Sequence, residues 1–483
     1  MMNNTGQSTN QHPSLGEGLG RLSEFDEIRP YEAGEMKQAF DDLLNDRQFS
    51  LMLKGFVPWL PKGLRNGLLK LAFIGVKTPL DFQKRFMKPI VWHIIHKHTD
   101  GLTFDDTALR GNHNSQFSIL NSQFSTLNSQ FDNRYTFLSN HRDIVLDSAF
   151  LDVLLVKAGY PTTVEIGIGD NLLIYPWIKR LVRMNKAFTV RRGLTAHEMM
   201  RSSQLMSRYI HYAVTQKKEN IWIAQREGRA KDSDDRTQDS VLKMLAMGGP
   251  TIINNGELRI ENCDMSQGCN SNESSNHNSQ FSTLNSQWIN SIKELNIVPL
   301  TISYEYDPCD YLKAQEFQQK RDNPAFKKSR QDDLDNMKTG IFGYKGRVRY
   351  CCAAPINTWI DELKDLPRNE FFPALSQRID RELHRNYQLY PCNYIALDML
   401  MEQGNHNSQF STLNSQFSLQ RHTLKERTLN SQFYTSDDVE RFEKYLAGQL
   451  AKINIPNKDE AFLRERMLTM YANPLRNYIA VQR

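Results

Sequence analysis

The chain has 483 residues, a net charge of +5, and 39% hydrophobic and 24% charged residues. That is long enough for one large domain with additions or for two, and too weakly basic for a dedicated nucleic-acid binder. Six cysteines, none at zinc-site spacing, argue against a disulfide framework and read as reduced thiols of a cytoplasmic protein, with Cys351 and Cys352 packed in a core.

From the N-terminus, an Asn-, Ser-, Gly- and Gln-rich stretch over 1–25 predicts a disordered tail without a secretory pattern. Residues 26–105 read as an N-terminal helical region, with helices from Met36 to about His98 started or broken by Pro58, Pro61, Pro79 and Pro89. Within it, Lys62 to Ile74 forms a helix with an apolar and a basic side, preceded by Trp59. Such a helix suits a lipid interface, and this predicts a peripheral protein on the inner face of a membrane; the same pattern also fits a helix packed on a domain core. No stretch approaches the roughly 18 apolar residues of a spanning helix. His93, His96 and His98 lack a Cys or carboxylate partner at metal-site spacing, so no metal is expected there.

Asn112–Gln123 reads NHNSQFSILNSQ, and both Asn276–Gln287 and Asn405–Gln416 read NHNSQFSTLNSQ. The repeat is polar and lacks charged flanks, which argues against a coiled coil. Its near-identical copies read as low-complexity insertions near 112–131, 266–288 and 404–433, expected to form loops without a catalytic role.

With these set aside, strands and helices alternate from Tyr135 onward. Strands are expected at Tyr135–Leu138, Thr162–Ile166, Phe188–Val190, Ile221–Ala224, Ile297–Ser303 and Arg347–Cys352. A helix from about Ile144 to Ala158 follows the first, and a capping box at Thr195–Glu198 opens another. The expected fold is therefore α/β: a largely parallel central sheet flanked by helices over 106–360, with a helical C-terminal extension over 361–483. Sites on such sheets gather at the strand ends.

Ser139-Asn140-His141-Arg142-Asp143-Ile144-Val145-Leu146-Asp147 places a histidine in the loop after a strand, with carboxylates close by. Imidazole titrates near neutrality, and a carboxylate can fix its tautomer, which suits proton removal from an alcohol. Gly169-Asp170-Asn171-Leu172 and Ala187-Phe188-Thr189-Val190-Arg191-Arg192 follow, the adjacent arginines being suited to grip a phosphate. Glu227-Gly228-Arg229 then closes another strand. Gly167-x-Gly169 lacks the third glycine and following helix of a dinucleotide loop.

This order resembles the glycerol-3-phosphate and 1-acylglycerol-3-phosphate acyltransferase superfamily, and looks closer to its glycerol-3-phosphate branch. The matching blocks are Asn140-His141 with a nearby aspartate, Gly169–Leu172 with Ala187–Arg192, Glu227-Gly228-Arg229, Ile297-Val298-Pro299-Leu300 running into Tyr304-Glu305-Tyr306, and Val348–Ile356. The resemblance covers about Tyr135 to Ile356. It implies transfer of a fatty acyl group from acyl-CoA or acyl carrier protein to a glycerol-phosphate-type hydroxyl in phospholipid synthesis, without a metal or other cofactor. His141 would be the general base, and Asn171, Arg191, Arg192, Glu227, Gly228 and Arg229 would surround the acceptor. The family's spacing puts Leu146 where an aspartate is expected, so Asp147 or Asp143 must serve; the apolar run after Asp147 favours Asp147. Gln225-Arg226 before Glu227 also departs from the family and leaves the acceptor open. A lysophospholipid or amino-acid lipid acceptor, and a catalytically silent lipid-binding relative, are the competing readings.

Overall fold

Short apolar runs bounded by polar turns make seven strands: β1 Gly101–Asp105, β2 Thr136–Ser139, β3 Val164–Gly169, β4 Ala187–Val190, β5 Asn220–Ala224, β6 Ile297–Tyr304 and β7 Arg347–Cys352. The computed structural model describes residues 24–56, 59–110, 133–248, 277–404 and 432–482. The strands form one sheet in the order β1-β7-β6-β2-β5-β3-β4. Every pairing is parallel except β6 with β7, where Ile302 faces Tyr350. The central strands β2 and β6 are buried almost throughout, as expected of a sheet covered on both faces. The α/β class read from the sequence is the class observed.

Helices of eight residues or more are α1 Met36–Asn45, α2 Arg47–Phe56, α3 Lys62–Phe73, α4 Lys88–His98, α5 Leu146–Lys157, α6 Pro176–Met184, α7 Ala196–Thr215, α8 Asp239–Ala246, α9 His277–Glu294, α10 Asp310–Asp322, α11 Arg330–Phe342, α12 Arg368–Arg385, α13 Pro391–Gly404, α14 Ser436–Leu450 and α15 Glu460–Val481. One face of the sheet is covered by α5, whose Phe150, Leu151 and Leu154 pack with Val91, Ile94 and Ile95 of α4. The other face carries α7, α8, α9 and α12 through Tyr209, Leu245, Ile292 and Leu375. A further cluster joins α13, α14 and α15 to α10 through Leu397, Leu446, Met467 and Ala314. Cys351 and Cys352 are buried, as their apolar setting predicts.

The N-terminal helices have their own core, in which Phe40, Phe73 and Phe82 meet Met184 of α6. Helix α3 turns an apolar stripe outward: Leu64, Leu68 and Leu71 are 60%, 56% and 64% exposed, and Trp59 before it is 77% exposed. Arg65 on the same helix is instead buried. Among the described residues no helix is long and apolar enough to cross a membrane.

Three features depart from the sequence reading. Strand β1 was not expected; its five residues form an edge paired in parallel with β7. The second repeat copy, expected as a loop, lies almost wholly in helix α9. Its Asn285 is buried and donates to the carbonyls of Lys364 (3.0 Å) and Leu366 (2.7 Å), while Ile289 and Ile292 enter the core one turn later. Packing of that C-terminal half outweighs the poor helix propensity of Asn and Ser. Phe25, placed in the tail by composition, is buried against Tyr209, and Thr189 N donates to Ile28 O (2.9 Å), so this segment closes the β4 edge. The first and third repeat copies lie outside the described residues.

Candidate active site

Because β6, β2, β5, β3 and β4 run in parallel, their C-terminal ends open on one edge of the sheet. His141 stands just beyond β2. Its Nδ1 lies 2.8 Å from Asp147 Oδ2, with the histidine side chain 13% exposed and the aspartate fully enclosed. An ionised carboxylate only accepts, so of the two tautomers of a neutral imidazole this contact selects the one with the proton on Nδ1 and the lone pair on Nε2. Residues Arg142 to Val145 turn the chain before α5 starts at Leu146, and this brings Asp147 of the first helical turn back to the imidazole. Asp147 Oδ2 also accepts the amides of Arg142 (2.7 Å) and Asp143 (3.1 Å), and Oδ1 accepts the Tyr304 hydroxyl (3.1 Å). The positive end of the α5 dipole adds to this support.

Asp143 takes another place. Its Oδ1 accepts the amides of Val145 (2.9 Å) and Leu146 (2.8 Å), which caps the helix start. Burial, and then the charge of Asp147, push its pKa up, while the two amides pull it down. Of the two aspartates the sequence left open, Asp147 is the one on the imidazole.

Asn140 locks the loop to the neighbouring strand: its Nδ2 donates to Ile302 O (2.9 Å) and its Oδ1 accepts from Ile302 N (2.8 Å). Asn140 Nδ2 (3.1 Å), Arg142 Nη2 (2.7 Å) and the Tyr387 hydroxyl (2.7 Å) all converge on Asp235 Oδ2. Burial would lower the Arg142 pKa, but Asp235 and the other acidic groups around it outweigh that and raise it. Trp222 of β5 presents its ring edge-on to His141, with centroids 5.5 Å apart, and is itself held by a 3.0 Å bond to Ser139 Oγ. A cavity of about 30 Å³ is lined by Arg142, Ser303, Tyr304, Asp307 and Tyr387 together with Tyr471 of α15. That is room for a water or two.

Around the rim, Arg192 Nη1 reaches Glu227 Oε1 (3.0 Å), and Arg192 N donates to Asp170 Oδ1 (3.2 Å). Asn171 and Arg192 crowd over Gly169, where an added Cβ would fall 2.5 Å from Asn171 Oδ1 and 2.6 Å from Arg192 Nε. Gly228 turns the chain with φ +70°, a left-handed conformation that glycine adopts freely. The structure thus brings Asn171, Arg192, Glu227 and Gly228 to the ends of β3, β4 and β5. The other two arginines go elsewhere. Arg191 pairs with Glu27 of the N-terminal segment. Arg229 turns inward and donates to Asn336 Oδ1 of α11 (2.9 Å), and among the described residues its buried Nη1 has no partner. Burial works against its charge, but Cys309, Asp307 and Asp143 nearby hold its pKa above the usual value.

Sequence reasoning did not single out Trp222, Asp235, Tyr350 or Asn336. Asp235 stands in a polar loop with no motif, and Asn336 in a helix of ordinary charge pattern. Tyr304 stands in the sequence only as part of the block that runs from Ile297 into Tyr304-Glu305-Tyr306, with no role of its own; burial, then Tyr350 and Asp147, raise its pKa well above the usual value, which suits a donor to Asp147. His96 lies edge-on to Trp92 (4.9 Å), and among the described residues no group of three or more His, Cys, Asp or Glu could hold a metal ion. No model of a known protein family matches the chain, and no curated protein matches it.

Proposed function

We propose that the chain is an O-acyltransferase moving a fatty acyl group from an acyl-CoA or acyl-carrier-protein thioester to a hydroxyl of glycerol-3-phosphate or 1-acylglycerol-3-phosphate. The observation that carries this reading is the His141–Asp147 pair at 2.8 Å, whose Nε2 has no partner among the described residues, beside the Arg192–Glu227 rim. His141 Nε2 takes the proton of the acceptor hydroxyl as its oxygen attacks the thioester carbonyl carbon. The carbon–sulfur bond then breaks, and the same proton passes from the imidazolium to the departing thiolate. Asp147 holds the tautomer and stabilises the imidazolium. Arg192 exchanges its exposed partner Glu227 for the acceptor phosphate, a fork-to-oxygen match.

The thioester and its product are amphiphiles, and the N-terminal helices offer a surface for them. Residues 47–98 hold ten Lys and Arg against a single acidic residue, Asp81. The outward Leu64, Leu68 and Leu71 with Trp59 stand amid that charge. An anionic bilayer meets both features, acyl region for the leucines and headgroups for the cations. The protein therefore works peripherally, on the inner face of the membrane. Incubating purified protein with a labelled acyl thioester and glycerol-3-phosphate, 1-acylglycerol-3-phosphate, lysophospholipids and amino-acid lipids tests the reaction. Labelled phosphatidic or lysophosphatidic acid is the expected product; no transfer to any acceptor overturns the reading.

A further inference from the structure

The two oxygens of Asp147 are unequally supported. Oδ2 takes the imidazole and two amides, whereas among the described residues Oδ1 takes one donor, the Tyr304 hydroxyl at 3.1 Å. A carboxylate turns easily about its last torsion, where the preference is broad and roughly two-fold. A buried oxygen without a partner is costly, so the Tyr304 bond fixes the second oxygen and, with the three donors on Oδ2, sets the plane of the carboxylate. Tyr304 is itself well fixed. It ends β6, pairs in register with Val348 of β7, and sets its ring 6.4 Å from Phe150 of α5. One strand over, the Tyr350 hydroxyl donates to the backbone carbonyl of Asp147 at 2.9 Å. Strands β6 and β7 thus brace the first turn of α5 by two hydroxyls, one on the side chain and one on the main chain of the same aspartate.

Resting on the acyl-transfer reading, we propose that Tyr304 is a positioning residue, whose hydroxyl keeps Asp147 Oδ2 aimed at His141 and so keeps Nε2 facing the acceptor hydroxyl. Its ring belongs to the core, but its oxygen does not serve packing. Removing the oxygen alone leaves the fold and takes away the restraint on Oδ1, so the carboxylate tilts about its remaining bonds on Oδ2. Bases misplaced by fractions of an ångström lose large factors in rate.

The test is Tyr304→Phe, which keeps the ring. Turnover should fall by about ten- to a hundredfold, with both KM values within about twofold of wild type. The melting temperature should move by no more than about 3 °C. In nitrogen-15 histidine spectra of the resting protein, the His141 ring N–H should exchange with water at least about tenfold faster than in wild type. Added to Asp147→Asn, the change should cause no further loss, because the two act through one contact. Unchanged turnover and ring exchange, or a loss that adds fully to that of Asp147→Asn, overturns the proposal. If the wild-type protein transfers no acyl group at all, the acyl-transfer reading falls by itself, and ring exchange in Tyr304→Phe still decides whether this hydroxyl holds the pair.

Discussion

Asp143 of the histidine loop lies against Gly340 of α11 so closely that a Cβ on the glycine would come within 2.1 Å of Asp143 Oδ2. With its other oxygen on the amides of Val145 and Leu146, this carboxylate is spent on the helix start. Asp143→Ala is therefore expected to lose about 0.5–2 kcal/mol of stability and to keep turnover within about threefold of wild type. Asp147→Asn should instead lower turnover by about two to four orders of magnitude with little change in melting, and His141→Ala should abolish it. Paired rate and melting measurements check both; the reverse pattern would reassign the partner of His141.

The three arginines should separate in kinetics. Arg192→Ala is expected to raise the acceptor KM by about ten- to a hundredfold, matching roughly 1.5–3 kcal/mol for a charge-assisted bond, and to leave the thioester KM unchanged. Arg191, in an exposed pair with Glu27, should matter by less than about 1 kcal/mol. Arg229→Ala should act mainly on stability, since it strips a buried partner from Asn336. Varying acceptor and donor separately, with melting curves beside them, distinguishes the three. A thioester-only effect of Arg192→Ala would remove it from the phosphate.

Membrane docking is expected to fail when the outward face of α3 is made acidic. Leu64→Glu with Leu68→Glu should cut sedimentation with anionic vesicles by at least about tenfold, as each leucine transferred to lipid is worth roughly 1.5–3 kcal/mol. Both side chains are exposed, so melting should hardly change. Binding that survives the double change would place the contact elsewhere.

Excising Asn276 to Gln287 should destabilise the protein by more than about 1 kcal/mol, because it removes the first turns of α9 and the buried Asn285. Chemical denaturation of the shortened chain measures this directly. An unchanged midpoint would mean that the repeat copy contributes nothing to the helix.

What was legible in the sequence follows from periodicity and burial. Strands β2, β5 and β6 are continuous apolar runs because both faces of the sheet are covered, and such runs announce themselves. Strand β1 is an edge whose GLTFD is half exposed, so it carries almost no pattern. Helix α9 hides behind an Asn/Ser-rich repeat, and only Trp288, Ile289 and Ile292 betray its packed face. His141 and Asp147 were readable because they are local, although which aspartate turns back depends on α5 starting at Leu146. Tyr304 reaches Asp147 from 157 residues away and Asp235 reaches Arg142 from 93. Contacts of that range are written in the topology and not in any window of sequence.

Stability should decline with rising pH on account of Asp310. Burial, then the charge of Asp307, raise its pKa from the ordinary 3.8 to about 7. Below the unfolded value both states hold the proton; between the two values only the folded state does, so stability is lost as pH rises from about 4 to about 7, by at most about 1.4 kcal/mol per pH unit. Asp310→Asn cannot titrate, and its stability relative to wild type should improve across that range. Urea midpoints at several pH values check the slope; parallel curves would show that Asp310 is not the group responsible.

The same Asp310 also fixes how the molecule comes apart. Its Oδ2 accepts the hydroxyls of Tyr445 (3.0 Å) and Tyr471 (2.7 Å), its Oδ1 accepts Gln449 Nε2 (2.7 Å), and Tyr471 Oη in turn accepts the amide of Asp307 (3.1 Å). Helices α14 and α15 are therefore tied to Asp307 and Asp310, three and six residues past Tyr304 at the end of β6. Pulling the C-terminal helices away strands a buried carboxyl and opens the strand end that braces Asp147. Unfolding of the two regions is thereby linked in one cooperative event, and a chain stopped at Arg385 would lose the ordered sheet edge along with the helices it lacks.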